Sequence, residues 1–108
     1  MIKDGQKLDR NGYAPSLYKI ADGHCALCGR TDRPLQRHEV FHGPYRDKAK
    51  AFGCWITICD ECHRQAHADG LYDKALKRFM QDKAMKKYGW SIDDFRAVFG
   101  KNYLRGAE

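Results

Sequence analysis

The stretch ICDECHRQAH (Ile58–His67) carries two cysteines and two histidines within one short segment. Upstream, CALC (25–28) supplies a second pair of cysteines with the same spacing. Two residues between thiolates allow one tight turn to present both sulfurs to a single tetrahedral ion, and four thiolates complete the coordination of a structural zinc. We therefore predict one structural Zn²⁺ site formed by Cys25, Cys28, Cys59 and Cys62.

The size and charge of the chain limit what it can be. Its 108 residues suffice for one small domain, whose core is thin enough to need the support of a metal. A formal net charge of +6 favours a polyanionic partner, and nucleic acid is the obvious one. The alternative is a mildly basic soluble domain that binds no polyanion.

The cysteine pattern and the hydropathy indicate the cellular setting. The N-terminal residues MIKDGQKLDRNGY contain no apolar stretch typical of a secretion signal, and no segment is long and apolar enough to span a membrane. Paired C-x-x-C motifs in such a chain favour metal binding over disulfides. We expect an intracellular protein that does not bind membranes.

Local patterns predict the secondary structure around the cysteines. The segments 35–41 (LQRHEVF) and 54–58 (CWITI) have the composition of two strands, with Cys54 as a buried side chain on the second. The segment 42–53, opened by Gly-Pro, is predicted as a connecting loop. The segment 59–70 suits a short helix. The fold class is therefore α+β, with a zinc-stapled ββα core over residues 23–70.

The remaining segments flank this core. Residues 1–22 are predicted as an N-terminal arm, loose up to about residue 14, with a short helix or strand at 15–22. Residues 71–108 are predicted as a basic helical extension. Its helix over 71–89 should bury Leu71, Tyr72, Ala75, Leu76, Phe79 and Met80. Its helix over 91–100, opened by a Ser-x-x-Asp capping box, should bury Ile92, Phe95, Val98 and Phe99.

The histidines exceed what one zinc ion needs. His63 and His67 are four residues apart on a helix and can share a face, as can His38 and His42 on a strand, whereas His38 and Glu39 should face opposite sides. A hairpin histidine facing a helix histidine could hold a second divalent ion. Candidate ligands for that ion are His38, His42, His63 and His67; histidines that only pack or hydrogen-bond are the alternative. Imidazole suits zinc, nickel, manganese or iron, whereas magnesium prefers oxygen.

These motifs resemble the HNH endonuclease superfamily, whose core is the ββα-metal fold. The resemblance covers C-x2-C, the hairpin histidine in RHEVF, and CDECH at the start of a helix. YRDKAKAFG and FGKNYL further resemble small HNH-type proteins of bacteriophages and prophages. The resemblance implies a DNA-cleaving hydrolase in the cytoplasm of a bacterial host. In it, a hairpin histidine takes a proton from the attacking water, and a second divalent metal (Mg²⁺, Mn²⁺, Ni²⁺ or Zn²⁺) assists.

Transferring the catalytic residues leaves alternatives open. The family has a metal ligand followed directly by the base histidine, where this chain has His38–Glu39. Either His38 is the base, which we favour, or His38 is the ligand and Glu39 occupies the position of the base. His63 matches the last histidine of the motif, and His67 is an additional or substitute ligand. The motif asparagine is absent from FGCWITIC, which supports an alternative: a catalytically inactive zinc module that binds DNA or a host or phage protein.

Basic residues predict the nucleic-acid contacts. They lie beside the hairpin, on the metal helix and on the following helix: Arg37, Arg46, Lys48, Lys50, Arg64, Lys74, Lys77 and Arg78. Contacts of this kind bind phosphates without reading bases, so we expect a nicking or weakly specific enzyme acting on double-stranded DNA. It would work as a monomer or a homodimer.

Overall fold

A hairpin and the helix that follows it form the centre of the structure, a computed structural model that describes residues 8–18 and 23–104. Strand β1 (Leu35–Glu39) pairs antiparallel with β2 (Trp55–Cys59), with Leu35 opposite Cys59 and Glu39 opposite Trp55. The segment that follows β2 directly, Asp60–Ala68, is helical. The predicted strand–strand–helix order and the α+β class are confirmed.

The connection between the strands differs from the prediction. Instead of a loop, it contains a 3₁₀ turn (Gly43–Tyr45) and a helix, α1 (Arg46–Ala51), so the metal helix Asp60–Ala68 is α2. Pro44 fits the first turn of a helical segment because that position needs no N–H donor. Ala49 is fully buried, whereas Asp47 and Lys48 are exposed. This contact with the core stabilises a helix that local sequence signals did not indicate.

Two further helices follow, as predicted. Helix α3 (Gly70–Tyr88) begins at Asp69, whose side chain accepts hydrogen bonds from the backbone N–H groups of Leu71 and Tyr72. Helix α4 (Ile92–Phe99) begins with the expected capping box, in which Ser91 and Asp94 bond each other's backbone N–H groups. No helix within the described residues has the length and apolar character needed to cross a membrane.

The buried stripe of α3 is rotated from the prediction. Leu76 and Met80 are buried, but Leu71 is 79% exposed and Phe79 is 41% exposed. The buried stripe also includes Gln81 and Ala84, which the hydropathy pattern did not indicate. Gln81 can be buried because its amide donates to Asn102 Oδ1 at 2.8 Å and accepts from the backbone N–H of Tyr103 at 2.7 Å. Ala75, also predicted as buried, is exposed.

Aromatic rings from the hairpin and α4 form much of the core. The Phe41 ring centroid lies 4.5 Å from that of Phe99 and 5.3 Å from that of Phe95. All three side chains are almost fully buried. This confirms Phe95 and Phe99 as the inner face of α4, whereas Ile92 and Val98 are only partly buried.

The described part of the N-terminal arm packs against the core, so the prediction of a loose arm is wrong there. The backbone N–H of Ala14 donates to Lys50 O at 2.8 Å, and that of Leu17 donates to Gly53 O at 2.9 Å. The Trp55 indole donates to Ala14 O at 2.7 Å. Residues 15–18 form neither helix nor strand, and the other predictions for 1–7 and 19–22 lie outside the described residues.

Gly53 provides a test of this packing. Its φ is +78°, and a Cβ there would lie 2.3 Å from the Pro15 carbonyl oxygen. Gly89 has φ +69° with open space around it. We expect Gly89→Ala to lower the free energy of unfolding by about 1 kcal/mol, the cost of a left-handed residue. Gly53→Ala should cost about 2–4 kcal/mol, because the arm must also shift. Urea unfolding of both variants measures the difference, and equal losses would contradict the tight packing of the arm.

Candidate metal centre

The four cysteines predicted to bind zinc come together at the foot of the hairpin. The Sγ atoms of Cys25, Cys28, Cys59 and Cys62 all lie within 4.8 Å of one another. The Sγ atoms of Cys28 and Cys59 are 3.8 Å apart. Zn–S bonds of about 2.3 Å in a tetrahedron place neighbouring sulfurs about 3.8 Å apart, so the spacing fits zinc. The four cysteines could hold one metal ion, in agreement with a structural zinc.

Backbone N–H donors stabilise the thiolate form of Cys25, which is the form that binds a metal ion. The N–H groups of Leu27, Cys28 and Cys59 point at the Cys25 sulfur, with donor–acceptor distances of 3.3–3.5 Å. Burial raises the pKa of Cys25, but these donors outweigh burial and lower it to about 6. Burial and the neighbouring sulfurs instead raise the pKa of Cys62. Without a cation, the pKa values of these two thiols are therefore shifted in opposite directions. A bound cation would stabilise the thiolate form of all four cysteines together.

Cys54 lies outside the cluster, as predicted. Its side chain is fully buried just before β2 begins, and burial raises its pKa. All five cysteines are free of disulfides. Cys54 therefore serves as a small apolar side chain of the core.

Three histidines converge in a second cluster. His38 is the last residue but one of β1, and His63 and His67 project from the same side of α2. One ring nitrogen from each lies within 4.8 Å of the others, and the Nε2 atoms of His63 and His67 are 3.0 Å apart. Metal–nitrogen bonds of about 2.0 Å bring neighbouring ligand nitrogens to about 3 Å, so the donor set has the dimensions of a metal site.

His38 is the buried member of this cluster. Its residue is 2% exposed, and its Nε2 atom has no hydrogen-bond partner among the residues that the structure describes. Burial, together with the nearby imidazoles of His63, His67 and His42, lowers the pKa of His38 to about 4. The ring is therefore neutral at physiological pH. A buried nitrogen without a partner is costly, and a cation at this position would satisfy it.

His42 does not join the three histidines. Strand β1 ends at Glu39, and the His42 ring centroid lies 6.2 Å from that of His38 and 5.8 Å from that of His67. Its Nε2 atom lies 3.3 Å from Oδ1 of Asp73 on α3. Asp73 is a site residue without a local sequence signal, because no local pattern shows which side chain α3 presents to the hairpin.

The Glu39 carboxylate makes its contacts outside the histidine cluster, although it is near enough to His63 to act on it electrostatically. Successive strand residues point to opposite faces, so Glu39 lies on the side opposite His38, as predicted. There it accepts a hydrogen bond from the Tyr13 hydroxyl, and its Oε1 lies 3.6 Å from Arg46 Nε. Burial and this carboxylate raise the pKa of Tyr13. Tyr13 is a further contact that the sequence did not indicate.

The predicted nucleic-acid-binding residues divide between two regions. Around the outer hairpin face, the Arg37 guanidinium lies 4.1 Å from the Tyr13 ring centroid, and Lys50 Nζ lies 4.8 Å from it. Arg46 pairs with Glu39, and Lys48 donates to the Val98 carbonyl at 3.2 Å. Several of these charges are therefore engaged within the protein.

The second region lies on α2 and α3. Arg64 pairs with Glu61, Lys77 with Asp73 at 2.9 Å, and Arg78 donates to the Tyr103 carbonyl at 3.2 Å. Lys74 is exposed and makes no ion pair with any residue in the described ranges. Of the predicted cations, Lys74 and the largely exposed Arg64 are best placed to contact an anion from solvent.

Comparison with known proteins gives no relative from which a function can be transferred. No protein-family model matches the chain, and no curated protein or solved structure matches it. The geometry of the two clusters is therefore the main guide to function.

The cysteine cluster makes a direct prediction about folding. Cys59→Ala should remove zinc and unfold the protein, because binding of structural zinc contributes about 10–16 kcal/mol in small domains. The control is Cys54→Ala, which removes a buried cysteine outside the cluster and should retain zinc with a loss of about 1 kcal/mol. Zinc content and circular dichroism of the two variants measure these effects. A folded Cys59→Ala protein without zinc would contradict a structural role for the metal.

Proposed function

We propose that the chain is a metal-dependent endonuclease of the HNH type, with a ββα-metal core, that hydrolyses phosphodiester bonds in DNA. The observation that carries this proposal is the convergence of one ring nitrogen of the buried His38 with ring nitrogens of His63 and His67. The hairpin–helix order and the four-cysteine cluster at its foot support it. A purely structural zinc domain would have no need for a second group of converging ligands.

The two clusters suit different tasks. Four thiolates close the coordination shell of a zinc ion, which is typical of structural sites. Three imidazoles leave a position open, which is typical of catalytic sites. A divalent ion held there would supply charge stabilisation to the phosphate and to the leaving 3′ oxygen. Nitrogen ligands favour Zn²⁺, Ni²⁺ or Mn²⁺ over Mg²⁺ in this role.

The geometry favours His38 as a ligand rather than as the base. A nitrogen whose lone pair binds a cation cannot take a proton at the same time. His38 converges with His63 and His67, so these three imidazoles form the proposed ligand set. Glu39, in the position where the family has its base, lies on the other face of the strand and bonds Tyr13.

The substrate would be bound mainly through phosphates. Arg64 follows His63 in α2, and Lys74 follows Asp73, the partner of His42, in α3; both side chains are exposed, and we propose them as phosphate contacts. We find no element in the described ranges that is arranged to read base edges. The proposed enzyme therefore nicks DNA with little sequence preference, as a monomer or a homodimer.

Cleavage of a supercoiled plasmid tests the proposal. We expect the zinc-loaded protein to produce open-circle DNA with Mn²⁺, Ni²⁺ or Zn²⁺, and chelation by EDTA to stop it. His38→Ala should lower the rate at least about 100-fold, because the ligand set is lost. Gln65→Ala changes an exposed residue of the same helix between His63 and His67 and should leave the rate unchanged. If the folded, zinc-loaded wild type fails to cleave DNA with any of these metals, the proposed nuclease activity is refuted.

A second candidate is a zinc module without catalytic activity that binds DNA or a host protein. The contact of Glu39 with Tyr13 and the absent motif asparagine favour it. Native mass spectrometry separates the two candidates by the number of bound metals. The enzyme should hold two ions, and His38→Ala should hold one. The module should hold one ion in both proteins.

Binding of DNA by α3 can be tested with a pair of charge reversals. Lys74→Glu should weaken binding and reduce the slope of log affinity against log salt by more than about 1, because one phosphate contact becomes repulsive. Lys87→Glu makes the same change in net charge on the same helix, about 20 Å away. If the two variants lose affinity equally, net charge alone governs binding, and the proposed phosphate contact of Lys74 is contradicted.

A further inference from the structure

His42 is a fourth imidazole that stands just outside the three-histidine cluster. Its ring centroid lies 5.8 Å from that of His67 and 6.2 Å from that of His38, whereas the rings within the cluster are 4.6–5.5 Å apart. His42 is set apart by its nitrogens: it is not among the residues whose ligand atoms lie within 4.8 Å of one another, and its Nε2 faces Asp73. Its ring nevertheless lies beside the cluster, near enough for a water molecule to lie between them.

Asp73 holds His42 in this position. Its Oδ1 atom lies 3.3 Å from His42 Nε2, while its Oδ2 atom accepts a hydrogen bond from Lys77 Nζ at 2.9 Å. Partial burial raises the pKa of Asp73, but the hydrogen bonds from Lys77 and His42 outweigh it and keep the pKa below its ordinary value. Asp73 is therefore an ionised carboxylate at neutral pH, oriented from both sides.

The carboxylate decides which nitrogen of a neutral His42 carries the hydrogen. An ionised carboxylate only accepts hydrogen bonds, so the His42 nitrogen facing it, Nε2, must be the protonated one. Nδ1 then has a free lone pair and can accept a hydrogen bond. A histidine oriented in this way by a carboxylate is an arrangement that supports general-base catalysis.

We propose that His42 is the group that accepts the proton of the attacking water and that Asp73 is its positioning residue. The inference rests on the proposed endonuclease function and supplies the proton acceptor that His38 and Glu39 do not. The water donates a hydrogen bond to Nδ1 while its oxygen attacks the phosphorus. As the new O–P bond forms, the P–O3′ bond breaks, the water proton passes to Nδ1, and the leaving 3′ oxygen takes a proton from solvent.

Asp73→Asn tests the pair with little change of shape. The amide can donate to Nε2, which moves the His42 hydrogen to Nδ1 and removes the acceptor. We expect kcat for plasmid nicking to fall about 10²–10⁴-fold with KM changed only a few-fold, the size of effect seen when a catalytic histidine is held in the wrong tautomer. Asp73→Glu should recover part of the activity, because it restores a carboxylate.

The matched control is Asp82→Asn. Asp82 pairs with Lys86 four residues on, at 3.1 Å, as Asp73 pairs with Lys77 on the same helix. Asp82→Asn therefore removes an equivalent ion pair away from the histidines and should leave kcat unchanged. Equal losses in the two variants would mean that the helix, rather than His42, is affected, and would overturn the proposal.

Nitrogen NMR of the histidine side chains gives a readout independent of cleavage. In the zinc-loaded wild type, His42 should carry its hydrogen on Nε2, and in Asp73→Asn on Nδ1. A wild-type His42 that carries hydrogen on Nδ1 overturns the inference even if the protein cuts DNA, as does full activity of Asp73→Asn. If Asp73→Asn fails to fold, two other results test the role of His42: the wild-type spectrum and the kcat of His42→Gln, which we expect to fall. If the wild type fails to cleave DNA whichever metal is supplied, the proposed function is refuted, and so is this role of His42.

Discussion

The convergence of four cysteine sulfurs at the foot of the hairpin is the constraint on which the rest of the structure depends. It joins the turn at residues 25–28 to the junction between β2 and α2, which lie about thirty residues apart in the chain. Further bonds reinforce the joint: Arg33 pairs with Asp60 at 2.6 Å, and Ala26 N–H donates to Thr57 O at 2.9 Å. Because α2 starts at this joint, its direction is fixed relative to the hairpin, and His63 and His67 lie beside His38.

The two clusters differ in burial and in the type of ligand, and under the proposed function they would serve stability and chemistry separately. The cysteine cluster is largely buried and held by backbone N–H groups, so it suits an ion that remains bound for the life of the protein. The histidine cluster joins one buried ring to one half-buried and one exposed ring, so it is open to a ligand from solvent on one side. A chain of this size gains a rigid frame from the first cluster and can therefore keep an unsatisfied nitrogen in the second.

Many of the basic side chains make contacts within the protein. The net charge of +6 suggests a uniformly basic surface, yet many of the cations bond carboxylates, carbonyls or aromatic rings of the protein. Arg37 and Lys50 hold the N-terminal segment through Tyr13, and Arg78 holds the C-terminal segment through the Tyr103 carbonyl. Basic residues therefore serve packing as well as any phosphate contact, which is why counting them overestimates the binding surface.

Local sequence patterns predicted the hairpin, α2, α3, α4, the two cysteine pairs and the shared face of His63 and His67. Each follows from composition or from spacings of two to four residues, and the two C-x-x-C pairs predict one cluster because a structural zinc needs four thiolates. The packed structure was needed to show that α1 is helical, that residues 8–18 pack, which stripe of α3 is buried, that Glu39 meets Tyr13, and that His42 meets Asp73. Each of these depends on contacts between residues far apart in the chain. Local propensity does not encode them, because they form only when the elements pack together and satisfy one another's polar groups.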